Sequence, residues 1–502
     1  MAKSYTYPHV SVSTTALSRS TTSTTTNDTT ILFVPFISDM GPVNELVKIY
    51  SLEDFISTYG SIDYSTQGQT ILNVANWLTN GGTILACRLF DANGATIVKA
   101  KGKASEDDTS LSIIATAKYA GTAYEDITVT IAPVNTTFTK VNISISDGDT
   151  TESFKRISVK SVNSTIAAGS NFLASLVISD GTDKTVTALK DSRVISFGLD
   201  YTEENNPVTP NGFSTMNAAL AAAYLPPEST PAEYSVYKIL ASELATPVDL
   251  ILDAGYSLAI KTSMATFATE CRDDIIVLFD SFDGTSGTLV DVDIDNIQGT
   301  NFAVYSQKLM IEEATYVDED NATDIWVTPT YFLSSLIPYN DILNGIQYPV
   351  AGISRYTLSG IKAIDYNPDP DTKQAWFDSR INYIEKDSRC YSFMSQRTRD
   401  GGDDDDFTAL SFLNNSRTAK YIARECNLMG RDYLHEYNDS ATISYMSSAL
   451  NKYVNTWVSN RALESATVTV ESDAYSTEEV DAVLTMKFTS ITEVISIDLI
   501  LE

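Results

Sequence analysis

Acidic residues at close spacing are the groups in this 502-residue sequence whose types best suit binding of a metal ion. Asp291, Asp293 and Asp295 reproduce the beginning of a calcium-binding loop, in which carboxylates at alternate positions supply oxygen ligands. The sixth position of such a loop should be glycine and the twelfth glutamate, but Asn296 and Phe302 stand there. The pattern fails at both positions, so it predicts no calcium site.

A denser acidic run, Asp403–Asp406, follows a pair of glycines and precedes a helical pattern. Carboxylates at this place interact favourably with the free amides and the positive dipole at a helix N-terminus. The run is therefore interpreted as a solvated loop that caps the next helix, with metal binding as the alternative.

Residues for nucleophilic or zinc chemistry are sparse. The only histidines, His9 and His435, lie far apart and in no recognisable motif, so a His-based triad is not predicted. None of the four cysteines belongs to a CxxC pair, which argues against structural zinc and favours buried, reduced thiols: Cys87, Cys271, Cys390 and Cys426. The sequence predicts no cofactor, no metal and no enzyme.

The charge of the chain limits its partners. A formal net charge of −31 would repel phosphate groups, so direct binding of nucleic acid is not expected. The N-terminus lacks the apolar core of a signal peptide, and no apolar run approaches the length of a membrane span. We therefore expect a soluble protein that is made in a cytoplasm.

Four basic residues line one side of a predicted helix over residues 407–434. They follow one another at intervals of 3, 4 and 7, nearly opposite an apolar stripe: Arg417, Lys420, Arg424 and Arg431. Only Glu425 and Asp432 offer opposite charge nearby in the sequence. A basic stripe on a strongly acidic protein suggests a docking face for an acidic partner. A solvated helix face is the alternative.

The stretch 31–90 predicts the elements that organise the fold. Two apolar runs, Ile31–Phe36 and Thr83–Phe90, read as strands. Between them, Ser51 can cap a short helix that ends near Tyr59, and a second helix is predicted at about 69–79. Strand, helix, helix and strand in this order are typical of an α/β layer.

After Phe90 the pattern changes to short alternating strands with Asp-Gly turns, which predicts an inserted all-β domain. The α/β pattern returns with a strand at 248–252, a helix at 258–271 and a strand at 275–279. Asp253 and Asp280 follow these strands but accompany no phosphate-binding loop, and they are interpreted as turn residues. A second long helix, at about 442–460, carries an apolar face for core packing.

Both ends of the chain carry alternating residues suited to strands. Tyr5, Tyr7, Val10 and Val12 begin a Ser/Thr-rich tail that is either disordered or an arm that adds a strand to a neighbour. The last residues alternate again and would form an aggregation-prone edge if unpaired: Ile495, Ile497, Leu499 and Leu501. This last strand pairs either within its own sheet or with a neighbouring subunit.

The order of motifs in the N-terminal part resembles that of contractile-tail sheath proteins. The motifs are Gly41-Pro42, the helix start Leu52–Phe55, Tyr59-Gly60, Asn80–Gly82 and Arg88. Residues 118–131 are similar to the first strand of the sheath insertion domain, although Glu125-Asp126 replaces a Gly-Asn pair that is common there.

The resemblance continues in the C-terminal half. Pro349–Gly352 with Arg355, Ile381-Asn382 and Ala462-Leu463 match the sheath family in order, while Tyr356 stands where glycine is usual. The resemblance implies an α/β core with a mixed sheet and flanking helices, an inserted all-β domain, and extended N- and C-terminal β arms. We expect these parts at 1–30 (N-terminal arm), 31–90 and 236–464 (core), 91–235 (inserted outer domain) and 465–502 (C-terminal strands and arm).

The resemblance also implies a function. The chain would be the sheath subunit of a contractile phage tail, forming stacked, hexameric rings around a tail tube and contracting for genome delivery. Its partners would be further copies of itself, the tail tube protein, and baseplate and tail terminator or neck proteins, all in the virion. The four basic residues would face the tube, and the residues at both termini would pair with neighbours. A tailocin or an extracellular injection system is one alternative, and an α/β enzyme with a β accessory domain is another.

Overall fold

Residues 30–91 form the first part of an α/β layer in the computed structural model. The structure describes residues 30–91, 99–104, 111–134, 139–148, 150–180, 194–200, 212–227, 229–242, 245–282, 297–313, 316, 323–353, 355–400, 408–472 and 478–491. The first elements are β1 (Ile31–Phe36), β2 (Leu46–Ile49), α1 (Leu52–Tyr59), α2 (Tyr64–Gln67), α3 (Gln69–Thr79) and β3 (Thr83–Arg88). The predicted cap is confirmed, because the Ser51 side chain accepts a hydrogen bond from the Asp54 amide at 3.1 Å.

A β-rich unit follows, formed by the described residues between Lys101 and Gly198. Its elements are β4 (Lys101–Ala104), β5 (Leu111–Ala117), β6 (Thr128–Pro133), β7 (Lys140–Ser146), β8 (Thr151–Ser158), α4 (Val162–Gly169), β9 (Leu173–Asp180) and β10 (Ile195–Gly198). They form one sheet in the order β4-β5-β9 and another in the order β10-β6-β7-β8 around a core of their own. The two ends of the unit meet, since Lys101 and Asp200 exchange two backbone hydrogen bonds of 2.9 Å.

The chain then returns to the α/β layer. The elements are α5 (Met216–Ala223), α6 (Val236–Ile239), β11 (Leu250–Leu252), α7 (Leu258–Glu270), β12 (Ile276–Asp280), β13 (Phe302–Tyr305), β14 (Leu309–Glu313), β15 (Thr323–Val327), α8 (Thr330–Leu343), β16 (Ile361–Ile364), α9 (Pro370–Asp378), β17 (Ile381–Asn382), β18 (Ile384–Lys386) and β19 (Tyr391–Phe393). Seven strands form the central sheet in the order β17-β13-β12-β11-β1-β3-β2, parallel except for the edge strand β2. The predicted mixed sheet is thus confirmed.

The C-terminal unit consists of α10 (Leu413–Arg431), α11 (Ser440–Ser459), β20 (Leu463–Ser472) and β21 (Val480–Phe488). The two strands form an antiparallel hairpin. Apolar side chains from both helices and both strands share a separate core that includes Ile422, Val454, Trp457, Leu463 and Phe488. The apolar face predicted for α11 is confirmed as core packing, with Leu450, Val454 and Trp457 buried.

Two predictions about the inserted domain are wrong. It is not all-β, because α4 packs Val162 and Ile166 into its core. The predicted range 91–235 also extends too far, since Met216 and Leu220 of α5 lie in the core of the α/β layer. Both helices are short, and neither shows a long apolar period that would separate it from the alternating pattern around it.

Residues of the motifs that resemble sheath proteins converge where the two units join. A Cβ atom on Gly41 would lie 2.5 Å from Cδ1 of Tyr59, so this close contact requires glycine. The buried Arg88 guanidinium donates hydrogen bonds to the carbonyl oxygens of Gly41 at 3.0 Å and Ala120 at 2.6 Å. Arg88 thereby links the α/β layer to the beginning of the β-rich unit, which gives a physical reason for the motif.

Candidate functional site

Helix α10 connects the C-terminal unit with the α/β layer. Its first half is buried from Leu413 to Ala419, whereas Leu428 and Arg431 near its other end are exposed. A short 3-10 turn at Ala409–Ser411, capped by the Thr408 side chain, precedes the helix. The burial is therefore asymmetric along the helix, which determines where each of its basic residues lies.

Arg417 is buried against helix α8 of the α/β layer. Its guanidinium forms an ion pair with both carboxylate oxygens of Asp341, and it donates to the hydroxyl oxygen of Thr30 at 2.9 Å. That hydroxyl in turn donates to Asp341. The Asp341 side chain is 0% exposed and that of Arg417 is 5% exposed, so the pair is shielded from water.

Arg424, two turns further along α10, pairs with the beginning of β11. Its Nη2 atom lies 2.7 Å from Oδ1 of Asp249. The other oxygen of that carboxylate, Oδ2, accepts a hydrogen bond from the backbone N–H of Ile31 at 2.7 Å. Burial acts to lower the pKa of Arg424, but the Asp249 carboxylate outweighs it and the pKa is raised. Between these two residues, Lys420 donates to the backbone carbonyl of Asp273.

The prediction of an open basic stripe is therefore wrong for three of its four residues. Arg417, Lys420 and Arg424 contact the α/β layer of their own subunit, and only Arg431 is exposed. Their partners lie between 76 and 387 positions away in the sequence, where a helical wheel cannot reveal them. The tube-facing role of Arg431 stays a prediction.

Three residues of this junction were missed by sequence reasoning: Thr30, Asp249 and Asp341. A signal existed for Asp341, because a carboxylate amid the apolar residues of α8 usually needs a buried partner. A small cavity of about 20 Å³ lies at this junction, and it has room for about one water molecule. Both polar and apolar side chains line it, among them Thr30, Asp249, Arg417, Lys420, Ile276 and Ile346.

In the described part of the chain, the hairpin of the C-terminal unit has one unpaired edge and one partly covered edge. Asn451 of α11 accepts the N–H of Val468 in β20 at 2.9 Å and donates to its carbonyl at 2.7 Å. The Asn451 side chain thus takes the position of a neighbouring strand at the middle of β20. Among the described residues, no strand pairs with the outer edge of β21. The predicted arm residues Tyr5, Tyr7, Val10, Val12, Ile495, Ile497, Leu499 and Leu501 lie outside the described residues.

A second charged cluster lies at the carboxyl ends of the parallel strands. Lys261 of α7 forms ion pairs with Asp253, which follows β11, and with Asp280 at the end of β12. All three side chains are at most 2% exposed. The interpretation of both aspartates as turn residues was incomplete, since each accepts backbone amides but also holds the buried ammonium group.

The charges in this cluster do not balance, because two carboxylates face one ammonium group. Burial, and then the nearby Asp280, raise the pKa of Asp253 to about 7 against the opposing effect of Lys261. Burial acts to lower the pKa of Lys261, but the two carboxylates outweigh it and raise that pKa. The cluster is closed on itself, because Nζ of Lys261 donates to the carboxylates of Asp253 and Asp280 and to the backbone carbonyl of Asp280.

A cleft of about 600 Å³ opens at the same edge of the sheet. Neutral polar residues such as Gln69, Thr215 and Thr328 line it together with Lys308 and Trp326. Among the described residues that line this cleft there is no carboxylate, histidine or cysteine. The carboxylates of Asp253 and Asp280 are thus buried beside the cleft rather than open to it.

The acidic runs considered as metal sites, Asp291–Asp295 and Asp403–Asp406, lie outside the described residues. Within the described part of the chain, no group of three His, Cys, Asp or Glu side chains is arranged to hold a metal ion. No helix in the described ranges has both the length and the apolar character needed to cross a bilayer.

Comparison with solved structures identifies the fold as that of sheath proteins. The sheath tail protein from Listeria innocua matches with a TM-score of 0.61 at 15% identity, over 93% of this chain and 96% of that one. The helical sheath of the anti-feeding prophage in its contracted state matches with a TM-score of 0.53 at 13% identity, over 99% and 100%. The sheath tail protein from Desulfitobacterium hafniense gives 0.50 at 14% identity, over 95% and 100%.

A family model supports the same assignment from the sequence. Residues 405–496 match the phage tail sheath C-terminal domain, a range that includes α10, α11 and the hairpin. The expected resemblance to tail sheath proteins is thus confirmed for the fold, and for residues 405–496 also by the family model. Comparison with curated protein sequences finds no match.

Proposed function

We propose that this protein is the structural subunit of a contractile sheath, which polymerises around a tail tube and contracts to drive the tube through the envelope of a host cell. The observation that carries the proposal is the match over nearly the full length of both chains to a helical sheath in its contracted state. A match of a single domain would support only a shared module, whereas here the core, the β-rich unit and the C-terminal unit are all covered.

The proposed partners are copies of the same chain in stacked hexameric rings, the tail tube protein, the baseplate, and the tail terminator or neck proteins. The subunit would be made in the host cytoplasm and function in the virion tail. Its net charge of −31 makes nucleic acid an unsuitable direct partner. The β-rich unit would face outward, away from the tube.

Strand exchange between subunits is the second part of the proposal. The hairpin offers the outer edge of β21, along nine residues, as a template for an added strand. The predicted arm segments around Tyr5–Val12 and Ile495–Leu501 have the alternation that such a strand requires. Asn451 covers the middle of β20, which favours β21 as the first acceptor edge.

For the tube contact, we propose the exposed end of α10 and the segment that follows it. Arg431 is exposed there, and Leu428 and Tyr437 expose 40% and 84% of their surface. Large exposed apolar residues beside a basic group are typical of a protein-binding surface. Arg417, Lys420 and Arg424 belong to the internal junction and are not included in this surface.

Contraction in this proposal is mechanical and uses no nucleotide. Subunits in a metastable extended lattice would rotate and repack into a wider, shorter lattice with larger buried interfaces, and the burial would supply the free energy. Strands shared between neighbours would keep the subunits tethered, since their main-chain hydrogen bonds survive a rigid-body movement.

There is a second candidate for the kind of particle that contains the sheath. The baseplate of the anti-feeding prophage and the contracted sheath of an extracellular contractile injection system also match, with TM-scores of 0.53 and 0.50. These matches favour an injection device or tailocin as the alternative to a phage tail. Electron microscopy of particles purified from the producing cells separates the two, because only a phage tail carries a capsid.

The test of the sheath function is negative-stain electron microscopy of the purified chain, alone and with its tail tube protein. Striated hollow tubules, or ordered rings along a tube, are the expected result. Compact particles that never assemble, even with the tube protein, would refute it. Deletion of residues 493–502 should abolish ordered tubules while leaving the subunit folded, and normal tubules would show that the last strand pairs within its own subunit.

A further inference from the structure

We propose that Arg417 and Arg424 anchor the root of the N-terminal segment, residues Thr30 and Ile31, to helix α10, so that tension on this segment passes into the C-terminal unit. The anchorage itself is a feature of the single subunit. Its role in transmitting tension rests on the proposed sheath function. We call the cluster of residues that makes these contacts the root anchor: Thr30, Ile31, Asp249, Asp341, Arg417 and Arg424.

Both residues of the root form hydrogen bonds with residues that are distant in the sequence. The Ile31 N–H donates to Asp249 Oδ2 at 2.7 Å, and the Ile31 carbonyl accepts the Asp249 N–H at 2.9 Å. The Thr30 hydroxyl lies between Asp341 and Arg417. Two residues of the chain are thus bound by two separate ion pairs, each of which has its basic member on α10.

The groups of the root anchor are largely buried, and this burial opposes their separation. Thr30 is 4% exposed, and the Asp341 and Arg417 side chains are 0% and 5% exposed. Separating a buried carboxylate from its guanidinium leaves an uncompensated charge away from water, which is strongly unfavourable. The Arg424–Asp249 pair is more accessible, at 10% and 17% exposed, and forms the softer half of the anchor.

Helix α10 connects the root anchor to the core of the C-terminal unit. From Arg417, α10 continues to Ala419 and Ile422, which pack in the same core as Trp457 and Leu463. That core supports the hairpin, whose outer edge is the proposed acceptor for a neighbour's strand. The two places at which neighbouring subunits are proposed to attach are therefore joined through α10, in addition to the covalent link from Ile31 into β1 of the seven-stranded sheet.

Two point variants test the anchor without removing its buried ion pair. Thr30→Val removes one hydroxyl at nearly constant volume, and Arg424→Gln removes the partly exposed cation. Lys452→Gln, on the exposed side of α11, is the matched control for loss of one positive charge. In hydrogen exchange followed by mass spectrometry, exchange at residues 30–31 should be about tenfold faster in both variants. Exchange in α11 and β20 should not change, nor should any region of the control.

Arg424→Lys provides a rescue, because it restores the charge that faces Asp249. It should return exchange at the root most of the way to the parent value, which a nonspecific loss of packing would not do. Unchanged exchange at residues 30–31 in both variants would overturn the anchor. An equal increase throughout the subunit would also overturn it, since it would indicate global destabilisation.

The transmission of tension is tested on assembled tubules. Tubules of Thr30→Val and Arg424→Gln should break into shorter pieces than parent or Lys452→Gln tubules at the same shear, as measured by electron microscopy. Equal lengths despite a loosened root would refute the transmission. If the parent chain forms no tubules even with its tube protein, the sheath function fails and the transmission fails with it, while the exchange experiment still decides the anchor.

Discussion

The ammonium group of Lys261 lies 2.5 Å from a carboxylate oxygen of Asp280 in a place where neither side chain reaches solvent. Asp253 contacts the same ammonium group, so one positive charge serves two buried carboxylates. Such an arrangement favours uptake of a proton, which agrees with the raised pKa of Asp253.

The pH dependence of stability follows from that raised pKa. Asp253 binds its proton more tightly in the folded than in the unfolded chain, so its contribution favours folding at low pH and is lost as pH rises through about 7. Replacement of Lys261 by Met would leave both carboxylates without a cation, at a cost of about 3–5 kcal/mol at pH 8. At pH 5 the cost should be smaller, because Asp253 is then protonated and carries no charge.

Urea unfolding of the Lys261→Met variant and the parent at pH 5 and pH 8 measures this difference. Lys452→Met, on an exposed position of α11, is the control and should show no such dependence. An equal destabilisation at both pH values would contradict the conclusion that two buried carboxylates depend on the charge of Lys261.

Arg417 gives a prediction that separates an internal role from a docking role. Arg417→Ala removes the buried partner of Asp341 and should lower the free energy of unfolding by about 3–5 kcal/mol. An exposed docking residue would change stability by only about 0.5 kcal/mol, which is the expectation for Lys452→Ala. Chemical denaturation of both variants decides between the internal role and the docking role of Arg417. A double-mutant cycle with Asp341→Ala measures the coupling energy between Arg417 and Asp341.

Gly121 should be intolerant of a side chain. Its φ angle is +153°, and a Cβ atom there would lie 1.8 Å from the carbonyl oxygen of Asp39. Gly121→Ala must therefore separate the β-rich unit from the α/β layer locally, with a loss of more than about 2 kcal/mol. Gly198→Ala is the control, because the nearest atom to its Cβ, the Ile127 carbonyl oxygen, lies 3.9 Å away. Similar melting temperatures for the two variants would show that the join is more plastic than the structure indicates.

The cysteines should differ in reactivity. Cys87 is fully buried in β3, and burial raises the pKa of its thiol to about 12, whereas Cys271 is exposed. A thiol reagent should modify Cys271 in the folded subunit and reach Cys87 only on unfolding. Mass spectrometry after timed labelling measures both rates, with Cys271→Ser as the control for assignment of the signal. Rapid labelling of Cys87 in the folded state would contradict its burial.

Local signals in the sequence predicted the elements well. Ser51 before two acidic residues marked the start of α1, and the apolar period of residues 69–79 marked α3, because caps and periodicity depend on near neighbours in the chain. The order of the sheath motifs added the expectation of a mixed sheet interrupted by an inserted domain, which no single element could provide.

The junction around α10 could not be predicted in the same way. Arg417 and Thr30 are 387 positions apart, so nothing in the local sequence indicates that they share a hydrogen bond. The same holds for Lys261, which became meaningful only when β11 and β12 placed Asp253 and Asp280 side by side. Charged residues on a helix face look solvated until the tertiary partners are known.

The backbone pairing of Lys101 with Asp200 has a consequence for evolution and for engineering. Because the chain enters and leaves the β-rich unit at hydrogen-bonding distance, a short loop can rejoin its ends when the unit is excised, provided that the loop offers the buried Arg88 an acceptor in place of Ala120. A foreign domain whose termini lie equally close fits the same opening. The subunit is thus a modular scaffold, on which a lineage or a designer can exchange the β-rich unit while the α/β layer stays the same.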